Sequence, residues 1–487
     1  MKAYNSRLIA LLVTTCVTTT MWVLFVQFSG DVALWLALLN FTICAWQLAS
    51  SPLSRHSGPV ALTFWSFTLV WLGFAPIVQI STGVLPWLDV YQSRTFLISE
   101  ALFTLSLVAF IAGSWLAGRR RDARPVEDLP ALATDPRIEE APPRVAPLLL
   151  LGFALLPVVL ASTGGLAGRF TTRDDVAQAF AESGASDDTV TLFLLNRLPS
   201  AIALVGGYAT AYMLRNYGRY LPKQQLFILP AFGAAMILVL MFANPFAISR
   251  YIALSTILGV ALGFVDLRST RVKSVFGWAS AISVLTLYPL ASWFKKDSVQ
   301  QQADGLSVDV YQGVDFDGFQ MIANTVEYVH SHGYAFGVHI LAAIGYFVPR
   351  SIWEAKPTPA SLDVAADRGY SFQNLSLPIW GEFYLDLSIV GMVAGMLLYG
   401  YVTRVLDHRY SSAPGSLAAH LAVVFAVAQF GLIRGPLGGS VVFFGTVLIL
   451  ALAVFLTPRK RPRSRRPLRT GTSSRILDPA PQLAVRT

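Results

Sequence analysis

The chain has 487 residues, of which 54% are hydrophobic and 13% charged, and 37 Lys and Arg against 28 Asp and Glu leave a net charge of +9. Soluble domains carry about 25% charged residues, so a single water-soluble core is excluded in favour of repeated apolar runs of bilayer-spanning length. Cys16 and Cys44 both sit inside such runs, and no Walker loop, HExxH, CxxC or GxGxxG-after-strand pattern is present, so neither a disulfide framework nor a nucleotide or metal centre is expected.

Twelve runs read as membrane helices, which makes the fold class an all-α polytopic membrane protein. They are Leu8 to Phe28, Val32 to Ala49, Pro59 to Ile80, Thr95 to Ala117, Val145 to Ala161, Thr191 to Leu214, Leu226 to Ala243, Tyr251 to Val265, Phe276 to Phe294, Ile379 to Val402, Leu417 to Ile433 and Val441 to Leu456. The first is long, lacks a small-residue cleavage site and is followed at once by a second run, so it reads as a retained helix and not a signal peptide. With a cytoplasmic N-terminus, 26 of the 37 Lys and Arg fall in cytoplasmic segments, whereas 19 of the 28 acidic residues do not. The positive-inside rule therefore predicts that both termini are cytoplasmic. GRRRDAR at 118–124 and the basic tail from Pro458 anchor that side, reading as contacts with anionic lipid and not with nucleic acid.

The connections divide the chain further. Residues 118–144 form a Pro-rich cytoplasmic linker between the first four helices (1–117) and the next five (145–294). An outer loop begins at Ser162 with STGGLAGRFTTRDD, and the largest extramembrane segment covers 295–378, before the last three helices (379–457). Within that large loop, 316–328 and 333–348 have helical apolar spacing but are short, so both read as helices lying on the outer leaflet. GMVAG at 391–395 is a small-xxx-small pattern suited to close helix packing.

Basic residues on the outer side are scarce, and several sit at membrane edges beside Gly or Pro. Arg169, Arg173, Arg250, Arg350, Lys356, Arg368 and Arg434 are the candidates for binding a lipid diphosphate or glycan. Arginine offers a planar fork of donors that fits phosphate oxygens; the plain alternative is snorkelling or pairing with a nearby Asp. Asp315 and Asp317 flank Phe316; Glu382 and Asp386, spaced i, i+4, share one helix face, and Glu382 near its outer end is a candidate base for an acceptor hydroxyl, with acidic charge favoured by the helix dipole as the plain alternative. His330, His332 and His339 lie in the large loop; His332 or His339 is a candidate general base, with solvent-facing histidine as the plain alternative.

Taken together, NPFAISRY, FDGF, HILAAIGYFVPRSIWEAKP, RGYSFQN, GEFYLDLSIVG and LIRGPLGG, in that order from Asn244 onward, resemble the oligosaccharide repeat-unit polymerases, the Wzy-type O-antigen polymerase family. One departure is Asp386-Leu387-Ser388, where that family often has Asn-Phe-Gly. The resemblance implies a glycosyltransferase C-like membrane enzyme of a bacterial inner membrane, working without cofactor or metal in lipopolysaccharide or exopolysaccharide synthesis. The donor would be a growing glycan on undecaprenyl diphosphate and the acceptor a second lipid-linked repeat, with membrane lipids and a chain-length regulator as partners. Arg250, Arg350 and Arg434 would hold phosphates, Lys356 and Arg368 glycan or phosphate, and Glu382 and Asp317 the acceptor. An O-antigen ligase and a lipid-linked-sugar flippase are the rival readings.

Overall fold

A computed structural model describes residues 2–25, 31–54, 56–122, 143–171, 193–217, 222–245, 248–293, 308–348, 350–370 and 375–456. The regular elements among them are all helical. In chain order they are α1 (Lys2–Phe25), α2 (Val32–Ser50), α3 (Pro59–Thr68), α4 (Ala75–Thr82), α5 (Ser93–Asp122), α6 (Ala146–Ser162), α7 (Gly165–Gly168), α8 (Leu198–Tyr217), α9 (Pro222–Phe242), α10 (Arg250–Phe264), α11 (Thr270–Trp293), α12 (Gly318–His332), α13 (Val338–Ile344), α14 (Ala360–Asp367), α15 (Ile379–Ser412), α16 (Leu417–Arg434) and α17 (Leu437–Phe455). Most of the linker, residues 172–192 of the first outer loop, and the basic tail lie outside the described residues.

Local chemistry sets several boundaries. Asp31 caps α2 by accepting from the Ala33 amide at 2.8 Å, and Ser416 caps α16 through the Ala419 amide. Proline opens α3 at Pro59, where its missing N–H costs nothing. A π-helical turn, Leu69–Phe74, carries α3 into α4 without a break.

Each of the twelve apolar runs coincides with a helix, the third with α3 and α4 together. Six helical stretches are long and apolar enough to cross a membrane: Val32–Leu53, Pro59–Thr82, Ser93–Arg119, Ile379–Ser412, Leu417–Arg434 and Leu437–Phe455. Ala10–Leu24, Ala146–Ser162, Leu226–Phe242 and Arg250–Phe264 are apolar but shorter. The 333–348 run yields only the seven-residue α13, and 316–328 yields α12.

α15 is not straight. Ser388 has φ 64° and ψ −172°, a region that strongly favours glycine. Residues 379–387 turn back there, so that a Cβ on Gly395 would stand 2.4 Å from the Phe383 ring. GMVAG therefore makes room for the first part of its own helix and not for a neighbour. Close packing between helices occurs instead where α5 crosses α15. A Cβ on Gly113 would lie 1.9 Å from the Leu397 carbonyl oxygen, and one on Gly400 1.9 Å from that of Phe110. Phe64 stacks on Phe110 at 4.0 Å, and Tyr399 meets both rings edge-on. The two helices run in the same direction, since Gly118 meets Arg404 further along.

This arrangement leaves polar residues at two ends of the bundle. One end gathers Arg250, Asp317, Glu382 and Arg434; the other gathers Ser54, Lys273, Arg404 and Asp407. From Ser388 to Arg404 the helix rises roughly 24 Å, close to the ~30 Å hydrocarbon thickness of a bilayer.

Gly113→Ala or Gly400→Ala should each cost about 2 kcal/mol by overpacking. Gly445→Ala, mid-helix in α17 where a Cβ meets nothing within 4 Å, should not lower the melting temperature in detergent and should raise it slightly. Ser388→Gly should stabilise by about 1 kcal/mol by relieving the backbone, and an unchanged or lower melting temperature would show that the turn is unstrained.

Candidate active site

Two tight 3-10 turns, Val308–Gln312 and Val314–Phe316, present Asp315 and lead into Asp317. Two helices pin them. Gln79 Nε2 donates to the carbonyls of Tyr311 and Phe316 at 2.7 and 2.9 Å, and Trp71 Nε1 donates to that of Asp315 at 2.8 Å. Gly318 is required at the next position, because a Cβ there would stand 2.9 Å from the Trp71 ring. Arg250, at the start of α10 and buried, forms an ion pair with Asp315. Arg434, at the end of α16, places its guanidinium 6.0 Å over Trp71 and acts electrostatically on Asp317.

Asp317 is 1% exposed. Its Oδ2 accepts from the Ser376 amide at 3.1 Å, while Oδ1 is buried without a hydrogen-bond partner among the described residues. Burial raises its carboxyl above the usual range, with the Arg434 charge pulling the other way. Glu382 is buried as well, but its Oε1 already accepts from the Leu437 amide at 2.6 Å and so caps α17. The turn before α17 needs glycine: Gly435 has φ 73°, and a Cβ there would overlap the Leu377 carbonyl oxygen at 1.6 Å.

A second polar group lies alongside. His339 is clamped between two carboxylates, with Nδ1 2.6 Å from Asp386 Oδ1 and Nε2 3.0 Å from Asp363 Oδ2. The other Asp386 oxygen accepts from the Ile340 amide at 2.8 Å, and Thr358 bonds Asp363. Burial acts to lower the imidazole, but the hydrogen bonds to Asp363 and Asp386 outweigh it and raise it to about 9. With both ring nitrogens engaged, this histidine is a held cation and has no lone pair to serve as a base.

The remaining candidates are elsewhere. Arg350 is exposed and donates to the Lys356 carbonyl at 2.9 Å. Lys356 Nζ is taken up by the carbonyls of Gly345, Tyr346 and Val348, closing the end of α13. Arg169 is buried with two nitrogens on the Met241 carbonyl, where it finishes α9. Arg368 lies 3.6 Å from Asp89 and over the Tyr91 ring. His332 is exposed, stacks on Tyr328 and sits 3.6 Å from Asp367, and His330 is exposed too. Arg173 and the SFQN part of RGYSFQN lie outside the described residues.

Several residues of this end were not singled out from the sequence. Gln320 and Asn324, one turn apart on α12, bind Trp87, Tyr91 and Tyr370, and Tyr370 also donates to Asp89 at 3.1 Å. Polar side chains at i and i+4 on the apolar face of a short helix were the signal available for them. Asp363 carried no such signal, because its partner His339 lies 24 residues away. Among the described residues, no group of three or more His, Cys, Asp or Glu is arranged to hold a metal ion.

Comparison of the chain with protein-family models, with curated proteins and with solved structures gives no match.

A folded-state imidazole raised from 6.5 to about 9 contributes stability that is full below pH 6.5 and lost as pH rises through about 9. The loss is on the order of 3 kcal/mol. Melting temperatures of the wild type should fall across that window. His339→Gln should flatten the slope and melt lower at the acidic end; an unaltered slope would show that His339 is not the titrating group.

Proposed function

We propose that the chain is a membrane glycosyltransferase that polymerises lipid-linked oligosaccharide repeat units at the end of the bundle carrying Arg250 and Arg434. One observation carries this reading: two arginines from separate helix ends converge on the half-buried Asp315 and the buried Asp317 beside Trp71. Charges held there need a function or a partner, and a polyprenyl diphosphate matches both their sign and their geometry.

The twelve helices are then twelve crossings in an inner membrane, with both termini cytoplasmic and the candidate site outside. The parallel run of α5 and α15 agrees with this, since the alternation puts five crossings between them. In the reaction, the acceptor sugar hydroxyl attacks the anomeric carbon of the donor glycan. The bond from that carbon to the diphosphate oxygen breaks, and the leaving diphosphate takes the electron pair. Arg434 and Arg250 neutralise its growing charge. Asp317 receives the hydroxyl proton, because it has an oxygen without a hydrogen bond and a raised proton affinity. Glu382 positions the start of α17 beside Arg434, and the Asp363–His339–Asp386 link holds the covering loops. Arg350 and Lys356 shape that cover and do not hold phosphate in this scheme.

Deleting the gene and profiling cell-surface glycan by gel tests the reading. Loss of the ladder with a single repeat left attached supports a polymerase. Loss of all attached glycan points to a ligase, and an unchanged ladder removes the proposal. On complementation, Arg434→Ala and Asp317→Asn should each cut polymer formation by about 10²-fold or more at equal protein level, while Arg350→Ala should restore the ladder.

A further inference from the structure

A cavity of about 350 Å³ lies at the end of the α5–α15 pair opposite the candidate active site. Its volume is in the range of small-ligand pockets. Trp65 and Phe110 form an apolar wall, and Ser57, Thr403, Arg404 and Arg119 supply the polar side. Ser57 and Thr403 are 4% and 1% exposed, and neither hydroxyl has a hydrogen-bond partner among the described residues. A hydroxyl buried in this way is costly unless something in the cavity meets it.

Among the described residues that line the cavity, two guanidinium groups and one carboxylate carry the charge. Arg404 reaches Ser54 Oγ at 3.1 Å, with Gly118 packed beside its guanidinium. Arg119 lies 3.8 Å over the Trp115 ring, and Lys273 stands behind on the Ser54 carbonyl at 3.0 Å. The carboxylate among the described lining residues is Asp407, and both its oxygens are already used. They accept from the Val60 and Ala61 amides at 2.9 and 3.0 Å, capping α3. Guanidinium and hydroxyl donors around one space suit the oxygens of a phosphate group, and the adjoining apolar wall suits an acyl chain.

We propose that this cavity is a phosphate-binding site whose occupant is the headgroup of an anionic lipid. The proposal is independent of the glycosyltransferase reading.

Native mass spectrometry of the full chain in detergent tests it, by titration with dioctanoyl phosphatidic acid, dioctanoyl glycerol and inorganic phosphate. Phosphatidic acid should bind saturably at one site, and dioctanoyl glycerol, which lacks the phosphate, should not. Arg404→Gln should weaken binding by about 10-fold. Thr403→Val keeps the side-chain shape, so the ligand-free protein should melt no lower than wild type while phosphatidic acid binds several-fold more weakly. That second variant keeps the test valid if Arg404→Gln fails to fold. Displacement of the lipid only by a large excess of inorganic phosphate supports the lipid as source. Displacement at matching concentration would instead assign the site to free phosphate. Equal binding by wild type and both variants, or equal binding of the two lipids, overturns the proposal.

Discussion

Charge buried among helices is costly unless each ion has a partner, and that cost sorts the polar residues of this chain into two levels. At one level Arg250 pairs with Asp315, Arg434 faces Asp317 and His339 sits between two aspartates. At the other, Asp407 caps α3 and Lys273 holds the Ser54 carbonyl. Between the levels a buried carboxylate occurs at Glu100, where Asn40 Nδ2 donates to it at 2.6 Å. Among the described residues the rest of the interior is mostly aromatic and aliphatic, with polar side chains such as Thr63, Ser255, His420 and Gln429 buried in it.

The spacing of the two levels depends on the crossing of α5 and α15. Backbone contact at Gly113 and Gly400 brings these helices closer than side chains would allow, and each carries residues of both levels. Thr95 on α5 bonds Glu327 of α12, while Gly118 and Arg119 line the far cavity. α15 carries Glu382 and Asp386 before its break and Arg404 and Asp407 near its end. The break at Ser388 is what turns Asp386 towards His339 and Glu382 towards α17, instead of leaving both at the top of one continuous helix.

The division within the arginine set follows from what each guanidinium reaches among the described residues. Arg169 is spent on a helix end and Arg350 on a loop carbonyl, whereas Arg250 and Arg434 meet carboxylates beside one indole ring. All four looked alike as membrane-edge arginines. The carboxylates differ in the same way: Glu382 is committed to an amide, and Asp317 retains an oxygen without a hydrogen bond.

Composition and apolar run length were enough to establish an all-helical chain with membrane-type helices, because the ~20-residue span and the exclusion of charge are one-dimensional requirements. The scarce basic residues between the apolar runs were legible for the same reason, and Asp317, Arg250 and Arg434 were named from sequence. Their grouping was not, since Arg250–Asp315 and Asp317–Ser376 join positions about 60 residues apart through helix packing. Nor could local pattern distinguish the packing glycines. GMVAG has the motif spacing, yet Gly113 and Gly400 make the crossing, because which face of a helix meets a neighbour is decided by tertiary packing and, in α15, by one residue's backbone angle at Ser388.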